Sequence, residues 1–586
     1  MGSHLVASLR RVVWGVAAHH RAAGAWLALG TLVPFGSSQC FTSQLSSPSQ
    51  SSGDYFGQAL AADGPWLVVG GRFAATIYRR DGEGTPLDAT DDTWWLNSHF
   101  LSEDPFLDDA FGSAVTIEGD HMIVGALAWP TSFPGGGPGA IYIYRRVEGS
   151  SPGPMDDSWV QEMLVTGNIP GASGGLFGTA VSLQRDRAAV GAPGAKLDSQ
   201  VLGNGLVHIF RHDDGGTPLD QADDTWIHET ALAANTAATS ERFGAAVDFD
   251  GENLLVGSPK FFFNGPGSAY HFRLDDSGTP DDFTDDTWIE HAKLTPPPGT
   301  AGTLFGEVLD LDGTRALIGS DGAAFLFELD DAGTPTDPAD DFWVDAGMLA
   351  ADEAGAPEDY GLAVSLAGER ALVGAPLQFA GLSYCVAHVF AKSNPVGAQL
   401  RGVPRWTEIA KLTAPVPPAV NVGCAVVLHG DQAIVGERGD FPFLTGDGES
   451  VSYGSALVFA MAVAPWSYID APQAGVLNPP CLLGAGPLLP DGDAVVTVDH
   501  AEANANTALV VGFAALLLPF KDGILFPTPD FIVWLATDAA GSLTVTMRWP
   551  AGVPEGFEFF AQAWVADQAA PGGYAATSAL HAEVPP

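Results

Sequence analysis

Short apolar stretches of strand length alternate with turn residues along most of the chain, and the alternation itself recurs. Seven times an aromatic–Gly or similar pair opens a strand of small and apolar residues, followed by a tight turn and a second strand that ends in Gly. The first-strand glycines are Gly57, Gly112, Gly178, Gly244, Gly306, Gly361 and Gly423, and the second-strand glycines are Gly70, Gly125, Gly191, Gly257, Gly319, Gly374 and Gly436, so the separation is 13 in every pair. In the fourth copy, FGAAVDFDGENLLVGSP, Asp250-Gly251 supplies the turn, because Gly takes positive φ without steric cost. A third strand follows in each copy: ATIY, IYIY, VHIF, AYHF, AFLF, AHVF and ALVF. In six copies a fourth begins at Trp94, Trp159, Trp226, Trp288, Trp343 and Trp406, usually with an apolar residue six places on.

Four antiparallel strands recurring every 55–66 residues predict the blades of a propeller. One blade has two apolar faces and cannot bury both alone, so neighbours must stack into a ring. The fold class expected is all-β, a seven-bladed β-propeller over residues 39–463 followed by a small C-terminal β-sandwich over 464–586. The seventh copy lacks a Trp-led fourth strand, but Leu45 lies 12 residues before Gly57, the gap that separates Leu232 from Gly244 and Leu294 from Gly306. Residues 39–47 are therefore expected to be the outer strand of blade seven, latching the ring; Trp466 is a rival candidate. After Pro465 the repeat stops. Apolar runs at 494–498, 508–517, 532–538, 542–549 and 557–567, parted by Gly and Pro, read as the sandwich strands.

Phe-Gly followed by Val-Gly-Ala-Pro, as at Gly191-Ala192-Pro193 and Gly374-Ala375-Pro376, resembles the FG-GAP repeat of integrin α heads and of secreted bacterial proteins. The resemblance implies the seven-bladed fold. It says less about function, since propellers host binding, structural and catalytic roles. The integrin-type D-x-D-x-D-G calcium loop does not fit in the short first-to-second strand connections, such as Ala62-Asp63-Gly64, so that site is not carried over. The C-terminal part is similar to domains appended to secreted planctomycete-type proteins, which implies no activity.

Charge narrows the partners. The chain has 586 residues with 25 Lys+Arg against 70 Asp+Glu, a net charge of −45, which repels nucleic acid and anionic membrane. A hydrophobic share of 46% separates it from disordered acidic tails. Arg10, Arg11 and Arg21 precede the apolar run Ala22 to Val33 and the small residues Gly36 to Ser38, so residues 1–38 read as an export signal. No integral membrane span is expected. The four cysteines, Cys40, Cys385, Cys424 and Cys481, show no C-x-x-C spacing. Cys385 and Cys424, in adjacent blades, are a candidate pair.

The distinctive chemistry lies between the third and fourth strands. Four copies share D-x-x-G-T-P-x-D-x-x-D-D-x-W. Their aspartates are Asp81, Asp88, Asp91 and Asp92; Asp213, Asp214, Asp220, Asp223 and Asp224; Asp275, Asp276, Asp282, Asp285 and Asp286; and Asp330, Asp331, Asp337, Asp340 and Asp341. A cluster of carboxylates suits a hard calcium ion, and a cation would relieve the repulsion between adjacent aspartates. Equally, Asp, Gly, Thr and Pro are turn formers on a solvated loop. Both readings stand at this stage; calcium is the one cofactor suggested, with no other.

No G-x-S-x-G, H-E-x-x-H, Walker A or dinucleotide motif occurs. His208 and His388 share one third-strand slot with Tyr142 and Tyr270, which reads as packing. His121 and His429 read as exposed turn residues, and Arg185, Asp186 and Arg187 as a hairpin tip. The function expected is a secreted or cell-surface, non-enzymatic adhesion protein recognising an extracellular protein or glycan. The mouth loops Leu127 to Gly139, Gly194 to Asn204 and Gly439 to Tyr453 are the candidate contacts. The alternatives are a carbohydrate-active enzyme, which needs paired carboxylates or a His/Tyr cluster, and a passive envelope component.

Overall fold

The computed structural model describes residues 40–585 apart from connecting segments, among them 82–91, 129–136, 196–204, 216–222, 280–282, 334–339, 377–384, 394–404, 439–453 and 470–479. The proposed export signal lies outside the described residues, as do most of the three mouth loops.

The chain is almost entirely β, and seven four-stranded antiparallel sheets account for the described residues from 40 to 460 in a propeller-like arrangement. The first sheet runs Ala59–Asp63, Trp66–Gly70, Ala74–Asp81 and Thr93–Leu101, with strands paired in chain order. The second is Phe111–Glu118, His121–Ala126, Ala140–Val147 and Ser158–Thr166. The third is Val181–Gln184, Arg187–Ala192, Leu206–Asp213 and Thr225–Leu232. The fourth is Val247–Asp250, Asn253–Ser258, Ser268–Asp275 and Thr287–Leu294. Two more sheets, Leu309–Leu349 and Val364–Thr413, repeat this order. The last draws its strands from both ends of this region: Val422–His429, Gln432–Glu437 and Ser455–Ala460 are joined by Cys40–Ser46, which pairs with Ser455–Ala460 and sets Leu45 opposite Ala456.

Burial follows strand order. Trp66–Gly70 is buried throughout, whereas Thr93–Leu101 is mostly exposed or half-buried. The first strand of each sheet packs on the first strand of the next, and the seventh returns to the first. The 13-residue glycine spacing has a direct cause in this contact. A Cβ on Gly191 would overlap the carbonyl oxygen of Gly244 in the next sheet, and Gly244 itself sits at φ 87°. The relation holds at each step and ends with Gly436 against Gly57, so only hydrogen fits where sheets converge.

Side chains on the first strands then tie sheet to sheet. The Phe249 amide donates to Ser182 Oγ (3.1 Å), the Leu311 amide to Asp248 Oδ2 (2.8 Å), the Leu366 amide to Asp310 Oδ2 (2.7 Å) and the Leu428 amide to Ser365 Oγ (3.0 Å). Two residues on, the Gly119 amide donates to Asp63 (2.7 Å) and the Gly313 and Gly368 amides to Asp250 and Asp312. His429 Nε2 meets Gly64 O at 2.6 Å between the seventh sheet and the first.

Beyond residue 460 the described residues form a six-stranded, a three-stranded and a two-stranded antiparallel sheet. Trp466–Ile469 lies in the largest, beside Ala579–Glu583, so Trp466 does not serve the seventh sheet. The three-stranded sheet holds Cys481–Ala485, Asp493–Asp499 and Leu543–Arg548. Trp466, Leu482, Val496, Leu509, Trp549 and Phe559 fill the shared core. Cys481 is disulfide-bonded. Cys424 Sγ lies 3.5 Å from Gly57 O, and the side chain of its candidate partner Cys385 lies outside the described residues.

Candidate functional site

In four of the sheets the aspartate two places before the fourth-strand Trp is drawn to an arginine. Arg80 grips Asp92 and also Asp431 of the seventh sheet (2.8 Å). Arg146 holds Asp157 at 2.8 Å, and Arg273 reaches across to Asp341 of the next sheet at 3.2 Å. Arg187 crosses from the third sheet to Asp286 of the fourth, and its Nε lies 3.2 Å from Glu229. Glu229 also accepts from the Trp288 indole N–H (3.2 Å). These links fix neighbouring sheets at the rim. They give the tryptophan–carboxylate spacing a physical role: the Trp packs, and the Asp two places earlier meets a guanidinium.

Other hairpin aspartates close turns. Asp213 accepts from Gly215 N, Asp275 from Ser277 N, Asp276 from Gly278 N, Asp330 from Ala332 N and Asp331 from Gly333 N. Asp285 accepts from Thr279 Oγ1 at 3.0 Å. Asp88, Asp91, Asp220, Asp282 and Asp337 lie outside the described residues.

Between the third and fourth sheets, at the first-to-second strand turns, these side chains frame a cleft of about 290 Å³. Gln184, Arg185 and Arg187 line one side, and Glu252, Asp276 and Phe283 the other. Phe283 belongs to the hairpin before Trp288; the residue is 36% exposed and its ring centroid lies 4.4 Å from the Arg211 guanidinium carbon. Asp286, which lines the cleft, is raised from its ordinary value by burial, against the pull of Arg187. Arg185 sits at the turn with φ 53°, its amide bonded to Glu118 of the second sheet. Arg185 and Asp186 are thus the hairpin tip expected, whereas Arg187 is a rim link that the sequence reading missed. The signal was available in register: nine residues after each first-strand Gly stand Trp66, His121, Arg187, Asn253, Arg315, Arg370 and Gln432, a slot that is polar in every copy but the first.

A second carboxylate arrangement lies on the first strands. Asp248 and Asp310 interact across adjacent first strands. Burial raises Asp248 to about 6, and burial with the Asp248 charge raises Asp310. Their outer oxygens are occupied by the Leu311 and Leu366 amides, so the pair braces the inner strands.

The third-strand histidines have partners. His208 Nδ1 is 3.1 Å from His228 Nε2, and burial, then His228, lowers it to about 4. His388 Nδ1 is 3.0 Å from Glu408. His271, which the repeat places one slot along, contacts Asn253 Oδ1 at 2.9 Å; burial lowers it to about 3. His121 departs from its expectation. It is not an exposed turn residue, since its side chain keeps 16% of its exposure and lies beside Glu162 and His212.

Among the described residues no helix is long and apolar enough to cross a membrane. No family model and no curated protein matches the chain. Solved structures do. The chain is similar to a Trypanosoma rangeli sialidase bound to the inhibitor DANA, at 11% identity and TM-score 0.34, over 86% of this chain and 96% of that one. It is similar to an exo-β-1,3-galactanase from Phanerochaete chrysosporium at 11% identity and TM-score 0.25, over 69% and 94%. It is also similar to an extracellular domain from B. thetaiotaomicron at 10% identity and TM-score 0.35, over 91% and 53%. The expectation of a non-enzymatic chain is corrected here, because the sialidase and the galactanase are both enzymes.

Proposed function

We propose that the chain is a secreted glycan-recognition protein, built as a seven-bladed FG-GAP-type propeller over residues 39–463 with an export signal before it and a β-sandwich over 464–586 after it. The observation that carries the glycan reading is the cleft between the third and fourth sheets. It sets donors (Gln184, Arg185) against acceptors (Glu252, Asp276) around a part-exposed phenyl ring. A sugar ring presents hydroxyls that donate and accept, and an apolar C–H face that packs on an aromatic ring. The cleft volume suits a small ligand. The net charge of −45 favours a neutral glycan over an anionic one.

The test is a glycan array probed with the purified full chain, followed by titration of each retained glycan. Phe283→Ala and Arg185→Ala should each weaken binding at least ~10-fold, the scale of one lost contact of about 1.4 kcal/mol, with the melting temperature unchanged. Absence of any retained glycan, or binding untouched by both substitutions, overturns the reading. Release of reducing ends from a retained glycan would add turnover to recognition.

A further inference from the structure

We propose that the interface between the second and third sheets is a zinc-class metal site, with His121, Glu162 and His212 as ligands and Asp224 beside His212. This is independent of the glycan reading. His121 opens the second strand of its sheet, Glu162 lies on the fourth strand of that sheet, and His212 comes from the third strand of the next sheet. Their ligand atoms all fall within 4.8 Å of one another. His121 Nε2 is 3.5 Å from Glu162 Oε2, and His212 Nε2 is 3.8 Å from Asp224 Oδ2. A tetrahedral ion with N and O ligands at about 2.0–2.1 Å spaces its donors about 3.4 Å apart. Small side-chain rotations therefore close the site.

Two observations point to an ion. His121 Nε2 and His212 Nε2 are both shielded from solvent and have no hydrogen-bond partner. Two shielded nitrogens without a hydrogen-bond partner, each standing 3.5 Å or more from a carboxylate, leave room for an ion between them. Glu162 is already oriented, since the Trp226 indole N–H donates to Oε2 at 3.3 Å, as an outer partner of a metal ligand does.

The second observation is the repeat. Each of these residues has a counterpart one interface along. His121 and Arg187 both stand nine residues after a first-strand Gly; Glu162 and Glu229 both stand three after the fourth-strand Trp; Asp224 and Asp286 both stand two before it. At that next interface the Arg187 guanidinium lies between Glu229 and Asp286. The slot of His212, two after Phe210, is Arg146 in the second sheet, where it holds Asp157. Both arginine slots are thus histidine at one interface, while both carboxylates remain. The fixed positive charge has gone and its two anions have stayed. Imidazole with carboxylate suits Zn²⁺ and its neighbours over calcium.

The experiment uses the full chain stripped by chelator and dialysed free of it. Titration with Co²⁺ alone should give the intense visible bands of a four-coordinate ion, saturating at one equivalent and displaced by Zn²⁺, with a higher thermal midpoint. His212→Ala should weaken binding at least ~100-fold, the scale of a lost ligand or its support. His121→Arg rebuilds the neighbouring ion pair. It should lose the cobalt bands yet melt no lower than the metal-free wild type, which separates metal loss from misfolding. Weak six-coordinate spectra, binding beyond one equivalent without saturation, or bands unchanged in His121→Arg would overturn the proposal.

Discussion

Asp248→Asn tests the carboxylate pair on the inner strands, where charge and burial pull against the fold. Asp248 is raised from 3.8 to about 6. Each pKa unit corresponds to about 1.4 kcal/mol, so ionising this group in the folded chain costs about 3 kcal/mol more than in the unfolded chain. A carboxyl whose folded pKa lies above its unfolded value binds protons more tightly when folded. Its favourable contribution is complete below pH 3.8, falls as pH rises, and is gone above about 6. Asparagine cannot ionise, so the wild type should lose about 3 kcal/mol relative to the variant between pH 4 and pH 8. Asparagine also has one acceptor oxygen where Asp248 uses two, toward Ser182 and Leu311, which subtracts a constant of about 1 kcal/mol at every pH. The quantity to read is the pH slope of the difference between the two proteins. At about 2.1 cal/mol/K per residue, a propeller of this length shifts by roughly 1 °C per kcal/mol. Melting curves from pH 4 to 8 should then show the difference move by about 3 °C in favour of Asn. A difference flat across that range would refute the argument that the pair carries an ionisation penalty.

Gly191→Ala places a methyl on the Gly244 carbonyl and should cost about 3 kcal/mol or more, whereas Gly251→Ala, at φ 64° with open space around it, should cost about 1 kcal/mol; urea unfolding of the pair checks the contrast. Arg187→Met leaves Asp286 and Glu229 without their cation and should destabilise by about 3 kcal/mol, read by the same unfolding. His271 is held neutral by burial, so its contribution is present above pH 6.5 and is lost as pH falls toward about 3, at about 1.4 kcal/mol per pH unit. His271→Gln should flatten the acid limb of the stability profile relative to wild type.

The strand repeat was legible because it is a local signal: Gly57 to Gly436 recur at one spacing, and each glycine answers a backbone contact with a neighbouring sheet. The joining of Cys40–Ser46 to Ser455–Ala460 could be read from the Leu45 spacing for the same reason. What escaped was side-chain traffic between sheets. Arg187 looked like part of a charged tip, because its partners Glu229 and Asp286 lie 42 and 99 residues away. Nothing in the chain order links His121 to His212, 91 positions away. Nothing in the chain order links Asp248 to Asp310, and only stacking brings their carboxyls together. Aligning the repeats by slot, rather than reading each copy along its length, is what exposes such pairs.

The outer strand of the seventh sheet has a consequence for synthesis. Leu45 waits for Ala456, so the segment made first is among the last to find its place. Closing a loop of about 400 residues costs only about 2–3 kcal/mol more than closing one of about 25, by the logarithmic dependence on length. The delay is therefore kinetic. While the later sheets are being made, Cys40–Ser46 is an unpaired edge strand, open to capture by another chain. Two molecules that exchanged this strand would each be complete yet linked as a dimer, an outcome favoured by high concentration during folding.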